Sequence, residues 1–230
     1  MRGSPAGGKD HPRRPARFQD QTMPTPAKIC GLSTVATLDA AIAQGAAAIG
    51  FMFYAPSPRN IALDQASALA ARVPAHVAKV GVFVDPDDAL VEAAVSAARL
   101  DALQLHATAP ARAAHLRGRA PVWATVAVRT RADLDAAHQY RGAADRIHYD
   151  ARTDAALPGG MGVRFDWALL DGFRHPLPWL LSGGLDAGNV GEAIRRTGAP
   201  MVDVSSGVES APGVKDVDKI AAFLQAVAVS

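Results

Sequence analysis

Residues 178–207 read PWLLSGGLDAGNVGEAIRRTGAPMVDVSSG. A short apolar run over 178–182 ends in Ser182-Gly183-Gly184. Helical spacing follows over 188–197, and a second apolar run over 201–204 ends in Ser205-Ser206-Gly207. Both runs are continuous rather than alternating, the pattern of parallel strands covered on both faces. Strand, glycine turn, helix and strand make one step of a parallel α/β architecture.

Outward from this stretch the same alternation fills the chain. β-rich runs fall at 27–30, 47–53, 77–83, 101–106, 121–127, 145–149, 178–182 and 201–204. Helical stretches fall at 34–44, 63–72, 86–98, 109–117, 131–140, 166–171, 188–197 and 216–228. Thr34 and Asp87 stand near helix starts, where short polar side chains cap free N–H groups. Eight βα units with short connections predict a single (β/α)8 barrel of the α/β class over residues 27–230. The rival is a doubly wound open sheet, which usually carries a phosphate fingerprint after its first strand. Here that strand ends Lys28-Ile29-Cys30-Gly31, and neither G-x-G-x-x-G nor a Walker A loop occurs anywhere.

Residues 1–26 break the pattern. They are rich in Pro, Gly, Arg and Gln, lack apolar periodicity, and are expected to form a disordered extension, with Met23 as an alternative start. No apolar core of a secretory signal is present there. The segment holds five basic and two acidic residues, which leaves 19 basic and 20 acidic residues in 27–230. The net charge of +2 therefore belongs to the extension, and the folded part lacks the basic excess a duplex-DNA face needs. Aromatics at 6% do not make a stacking platform for single strands. No apolar run reaches the roughly 18 residues of a membrane helix. One cysteine excludes an intramolecular disulfide and a cysteine-based zinc site. With 49% hydrophobic and 20% charged residues, the composition is that of a soluble globular protein. The expectation is a cytoplasmic monomer or homodimer with no nucleic-acid, membrane or metal partner.

A barrel carries its chemistry at the C-terminal ends of its strands. In order, those positions hold Cys30, the Ser57-Pro58-Arg59 loop, Asp85, His106, Arg129, Asp150, Ser182-Gly183-Gly184 and Ser205-Ser206-Gly207. With only His106 and scattered carboxylates available, no metal-ligand cluster forms. Barrels commonly build a phosphate site from the loops after strands seven and eight, where backbone N–H groups approach the oxygens. Gly183-Gly184 and Ser205-Ser206-Gly207 occupy those loops, and Gly159-Gly160-Met161-Gly162 can lend further amides. A lone glycine pair would simply make a turn; two clusters in this register favour phosphate. A thiolate at Cys30 can act as base or nucleophile, and Asp150 across the mouth as a general acid. Taken singly, Cys30 reads equally as an inert core residue and Asp150 as a surface acid. Lys28 shares the strand face of Cys30; it either stabilises a thiolate or pairs with a carboxylate.

Seven segments, taken together, carry a resemblance. They are Lys28-Ile29-Cys30-Gly31; Gly50-Phe51-Met52-Phe53 with Ser57-Pro58-Arg59; Val80-Gly81-Val82-Phe83-Val84; Gln104-Leu105-His106; and Gly159-Gly160-Met161-Gly162 with Phe165-Asp166-Trp167. Ser182-Gly183-Gly184-Leu185 with Asn189-Val190 is the sixth. The last runs from Val202-Asp203-Val204-Ser205-Ser206-Gly207-Val208-Glu209 through Pro212-Gly213 to Lys215-Asp216. In this order they are similar to the phosphoribosylanthranilate isomerases, (β/α)8 enzymes of tryptophan biosynthesis.

The resemblance implies an aldose–ketose isomerisation that needs no cofactor. N-(5-phosphoribosyl)anthranilate would undergo an Amadori rearrangement to 1-(2-carboxyphenylamino)-1-deoxyribulose 5-phosphate. By the same resemblance, Asp150 is the acid that protonates the ring oxygen and opens the furanose to a Schiff base. Cys30 is the base that removes the C2 proton. Arg59 faces the anthranilate carboxylate, His106 faces the substrate, and Gly183, Gly184, Ser205, Ser206 and Gly207 hold the phosphate. The chain departs from the family pattern at Met161, where Thr is usual, and at Ala107, where Gly is usual. It departs again at His148-Tyr149, where apolar residues usually precede the acid, and Asp154 then becomes a second candidate acid. The competing readings are another phosphosugar isomerase or epimerase barrel in which Cys30 is idle, and a catalytically silent barrel that only binds a phosphorylated ligand.

Overall fold

The computed structural model describes residues 24–151, 164 and 166–230. Most of the predicted extension, the glycine run at 159–162, Asp154 and Phe165 lie outside the described residues. Eight parallel strands close a barrel in chain order. They are β1 (Ala27–Cys30), β2 (Ala48–Met52), β3 (Ala78–Val84), β4 (Ala102–His106), β5 (Val122–Val128), β6 (Arg146–Ala151), β7 (Trp179–Leu181) and β8 (Val202–Val204). Every predicted strand is present, with ends shifted by at most two residues. The barrel closes where β1 pairs with β8, with Lys28 opposite Asp203 and Ile29 opposite Val204. The seams are unequal: β5 and β6 share six register pairs, whereas β7 and β8 share only Leu181↔Val202.

Six α-helices among the described residues wrap the strands. They are α1 (Val35–Ala43), α2 (Leu63–Ala70), α3 (Asp88–Ala98), α4 (Pro110–Leu116), α5 (Val190–Thr197) and α6 (Val217–Ala228). Thr34 and Asp87 cap α1 and α3: their side-chain oxygens accept from Thr37 N at 3.3 Å and Leu90 N at 2.8 Å. The predicted helices at 131–140 and 166–171 are 3₁₀ segments, Arg131–Tyr140 and Trp167–Leu170. Each buries only an i, i+3 pair, Leu134 with Ala137 and Trp167 with Leu170. Three residues per turn align such a pair on one face without a third apolar row. One element was not anticipated. After β8 and a short 3₁₀ turn at Ser206–Val208, the hairpin β9 (Glu209–Ala211) and β10 (Val214–Lys215) lies at the barrel mouth.

Inward side chains form stacked layers, as alternation along each strand requires. Ala48, Val80, Ala102, Trp123, Leu180 and Met201 make an apolar floor. Arg146 seals it, its guanidinium 5.3 Å from the Trp123 ring centroid. Lys28, Gln104, His148 and Asp203 are also buried, at no more than 3% exposure, so a polar cluster stands where small barrels usually place aliphatic side chains.

Candidate active site

A cavity of about 550 Å³ opens at the C-terminal ends of the strands. Cys30, Arg59, His106, Asp150, Gly184, Ser205, Ser206 and Gly207 line it. Gly183 does not line it; its φ of +89° turns the chain after β7, where a Cβ would lie 2.6 Å from Ala151 N. Asp85 and Arg129 end their strands but are exposed and do not line the cavity. Gly207 brings two loops together: a Cβ there would stand 1.9 Å from Leu185 O, so only glycine lets the chain after β8 touch the chain after β7. Asn189, at the start of α5, ties the same corner by donating from Nδ2 to Gly184 O at 3.0 Å.

The thiol end is built on β1. Lys28 Nζ donates to Asp203 Oδ1 at 2.9 Å, as the register of β1 against β8 dictates. Its side chain also runs beside Cys30: a Cβ built at Gly50 would lie 3.0 Å from Cys30 Sγ and 3.2 Å from Lys28 Cε, so the carboxylate pairing is present and the ammonium stands near the thiol as well. Burial opposes the ammonium, but Asp203 and then Cys30 outweigh it and raise its pKa. Asp203 is likewise penalised by burial, yet Lys28 and His148 hold its carboxyl below the usual range. His148 Nε2 lies 3.0 Å from Asp203 Oδ2. For Cys30, burial pushes the thiol up, and the opposing pull of Lys28 does not cancel it.

The carboxyl end is built on β6. Asp150 is 8% exposed and accepts from Ala151 N at 2.9 Å. Burial raises its pKa above the ordinary carboxylate value; the nearby His148 opposes this and Asp203 adds to it. A carboxyl so placed keeps its proton to higher pH than a free aspartate, as a general acid must.

Between these ends stand His106 and Gln104. Burial, with His148 and Lys28 adding to it, lowers the His106 pKa to about 3, so the imidazole is neutral at physiological pH. Gln104 Nε2 donates to His106 Nε2 at 3.0 Å, leaving Gln104 Oε1 without a partner in the wall of the cavity. At the rim, Arg59 grips Glu209 with two N–H groups, Nε to Oε1 at 2.7 Å and Nη2 to Oε2 at 2.8 Å. Lys215 Nζ reaches Glu209 Oε1 at 2.5 Å and Ser205 O at 2.9 Å. Arg59 and Lys215 thus share the Glu209 carboxylate at the rim. Sequence reasoning assigned no role to Gln104, His148, Asp203, Glu209 or Lys215. Gln104, His148 and Asp203 each lie two residues from a mouth residue, which is the signal that reveals them.

The family profile for N-(5'phosphoribosyl)anthranilate (PRA) isomerase matches residues 27–226. The N-(5'-phosphoribosyl)anthranilate isomerase of Zymomonas mobilis subsp. pomaceae is 54% identical over 204 residues, covering 87% of this chain and 96% of that protein. The crystal structure of phosphoribosyl anthranilate isomerase from Thermotoga maritima superposes with a TM-score of 0.78 at 33% identity, covering 88% of this chain and 98% of that one. A further phosphoribosyl anthranilate isomerase structure, in complex with reduced 1-(o-carboxyphenylamino)-1-deoxyribulose 5-phosphate, gives a TM-score of 0.76 at 33% identity, with the same coverage. A barrel of this order, with its cavity at the strand ends and a match across nearly all of the folded chain, belongs to the N-(5'-phosphoribosyl)anthranilate isomerase family.

Proposed function

We propose that this chain converts N-(5-phosphoribosyl)anthranilate to 1-(2-carboxyphenylamino)-1-deoxyribulose 5-phosphate, with Asp150 as general acid and Cys30 as general base. The observation that carries the residue roles is the contrast within one cavity. Burial makes the Asp150 carboxyl favour its protonated form, whereas at Cys30 the Lys28 ammonium pulls toward the thiolate against the burial that pushes the thiol up. Asp150 gives its proton to the furanose oxygen as the C1–O bond breaks and the anthranilate nitrogen lone pair forms the Schiff base. The Cys30 thiolate takes the C2 proton, and the enolamine that results tautomerises to the ketone. Gly184, Ser206 and Gly207 offer the phosphate a cradle between the loops after β7 and β8, and Gly183 and Ser205 shape those loops. The Arg59 guanidinium, held at the cavity rim by Glu209, suits the anthranilate carboxylate. His106, neutral and lining the cavity, faces the sugar as a hydrogen-bonding group. The reading carries with it a cytoplasmic monomer or homodimer.

The test is turnover of freshly generated phosphoribosylanthranilate, followed by loss of its fluorescence. Cys30→Ala and Asp150→Asn should each lower kcat on the order of 10²–10⁴-fold, while both variants still bind the phosphorylated product. Full activity of Asp150→Asn would overturn the acid assignment. Full activity of Cys30→Ala would overturn the base.

A further inference from the structure

His148 is 1% exposed inside the barrel, and none of the steps above uses it. Its Nε2 lies 3.0 Å from Asp203 Oδ2, and its Nδ1 lies 3.1 Å from Thr125 Oγ1. Its ring meets that of His106 edge-on, with centroids 5.8 Å apart. The ionised Asp203 is acceptor only, so Nε2 carries a proton and donates. The Thr125 hydroxyl donates to the bare Nδ1, so the ring is anchored at both nitrogens. Thr125 and His148 are register partners on β5 and β6, which fixes the ring plane.

The second Asp203 oxygen accepts from Lys28, and Lys28 Cε and Cys30 Sγ flank the same point, 3.2 and 3.0 Å from a Cβ built at Gly50. A continuous line of contacts therefore runs Thr125–His148–Asp203–Lys28–Cys30 through an interior where an unsatisfied polar group is costly. Without His148, the carboxylate is free to turn both oxygens on Lys28, drawing the ammonium from the thiol. We propose that His148 is a positioning residue for the isomerisation: by occupying Asp203 Oδ2 it limits the grip of Asp203 on Lys28 and leaves the ammonium at Cys30. The proposal rests on the assignment of Cys30 as the base. The ionisable groups around the ring are Asp203 from β8, Lys28 from β1, His106 from β4 and Asp150 on its own strand.

Three variants test it, with Cys30→Ala alongside. His148→Gln keeps an amide N–H near the place of Nε2, His148→Asn is polar but too short to reach Asp203, and His148→Leu removes both bonds. Cys30 is the sole cysteine, so the iodoacetamide reaction of the whole chain reads its thiolate alone. His148→Asn and His148→Leu should lose up to about 100-fold in kcat with KM little changed. In both, alkylation should set in at higher pH than in the parent. His148→Gln should recover most of both properties. If the Leu variant does not fold, the Asn and Gln pair still decides. Equal behaviour of Asn and Gln overturns the proposal, as does a parental alkylation curve in the Asn variant. A rise in KM with kcat intact also overturns it, since His148 would then be a substrate contact. A fully active Cys30→Ala would instead sink the base assignment on which the proposal stands, a separate and distinguishable failure.

Discussion

Ala107 follows His106 with φ of +49°, a left-handed backbone that crowds the Cβ of any L-residue. Relief of that crowding is worth about 1–2 kcal/mol, against about 0.5–1 kcal/mol for the extra unfolded freedom of glycine. Ala107→Gly should therefore stabilise the protein by roughly 0.5–1 kcal/mol, read as a higher urea midpoint with unchanged slope. A loss of stability would mean that the turn carries no strain. Asp150 makes the opposite trade. Its folded pKa is raised, so the folded state holds this proton more tightly than the unfolded chain does. The stability linked to it is fully present below the unfolded value, near about pH 4, and is lost as pH rises through the folded value. Asp150→Asn should thus equal or exceed the parent in Tm at neutral pH while losing turnover, with the gap closing toward about pH 4. A variant that melts well below the parent at neutral pH would contradict this.

At the scale of elements, strand alternation decides what the chain discloses. Lys28 and Cys30, Gln104 and His106, His148 and Asp150, and Asp203 and Ser205 are pairs two residues apart at strand ends. A period of two sends both members of each pair inward, so the interior residues are readable once the strands are known. Their partners are not. The Lys28–Asp203 bond joins residues 175 positions apart and depends on the register at barrel closure. Nor is the hairpin β9–β10 readable, because strands of three and two residues leave no periodic trace. The 3₁₀ segments share the sparse apolar content of a weak helix, and only the i, i+3 burial separates the two forms. Loop contact is likewise set by tertiary approach. Gly207→Ala would drive its Cβ into Leu185 O and part the loops after β7 and β8. A displacement of about 1 Å at a binding site can cost on the order of 100-fold, so KM should rise steeply while the circular dichroism of the barrel persists. An unchanged KM would remove this corner from the phosphate site.

For the whole molecule, the barrel is a ring of eight seams, and a ring yields at its shortest joint. That joint is β7 against β8, held in register by Leu181 and Val202, with Leu181 N donating to Met201 O at 3.0 Å. Gly184 stands at the end of one of these strands, and Ser206 and Gly207 at the end of the other. If Gly184, Ser206 and Gly207 hold the phosphate as proposed, the anion spans the gap as a rivet does. Because it binds only the closed ring, inorganic phosphate at tenfold its Kd should add about 1.4 kcal/mol. Hydrogen exchange at the Leu181 amide should slow more than exchange across β5 and β6, and uniform slowing would count against the rivet. On this view the last joint of the barrel is fastened by the reactant itself, and the wall is firmest while the chemistry is under way.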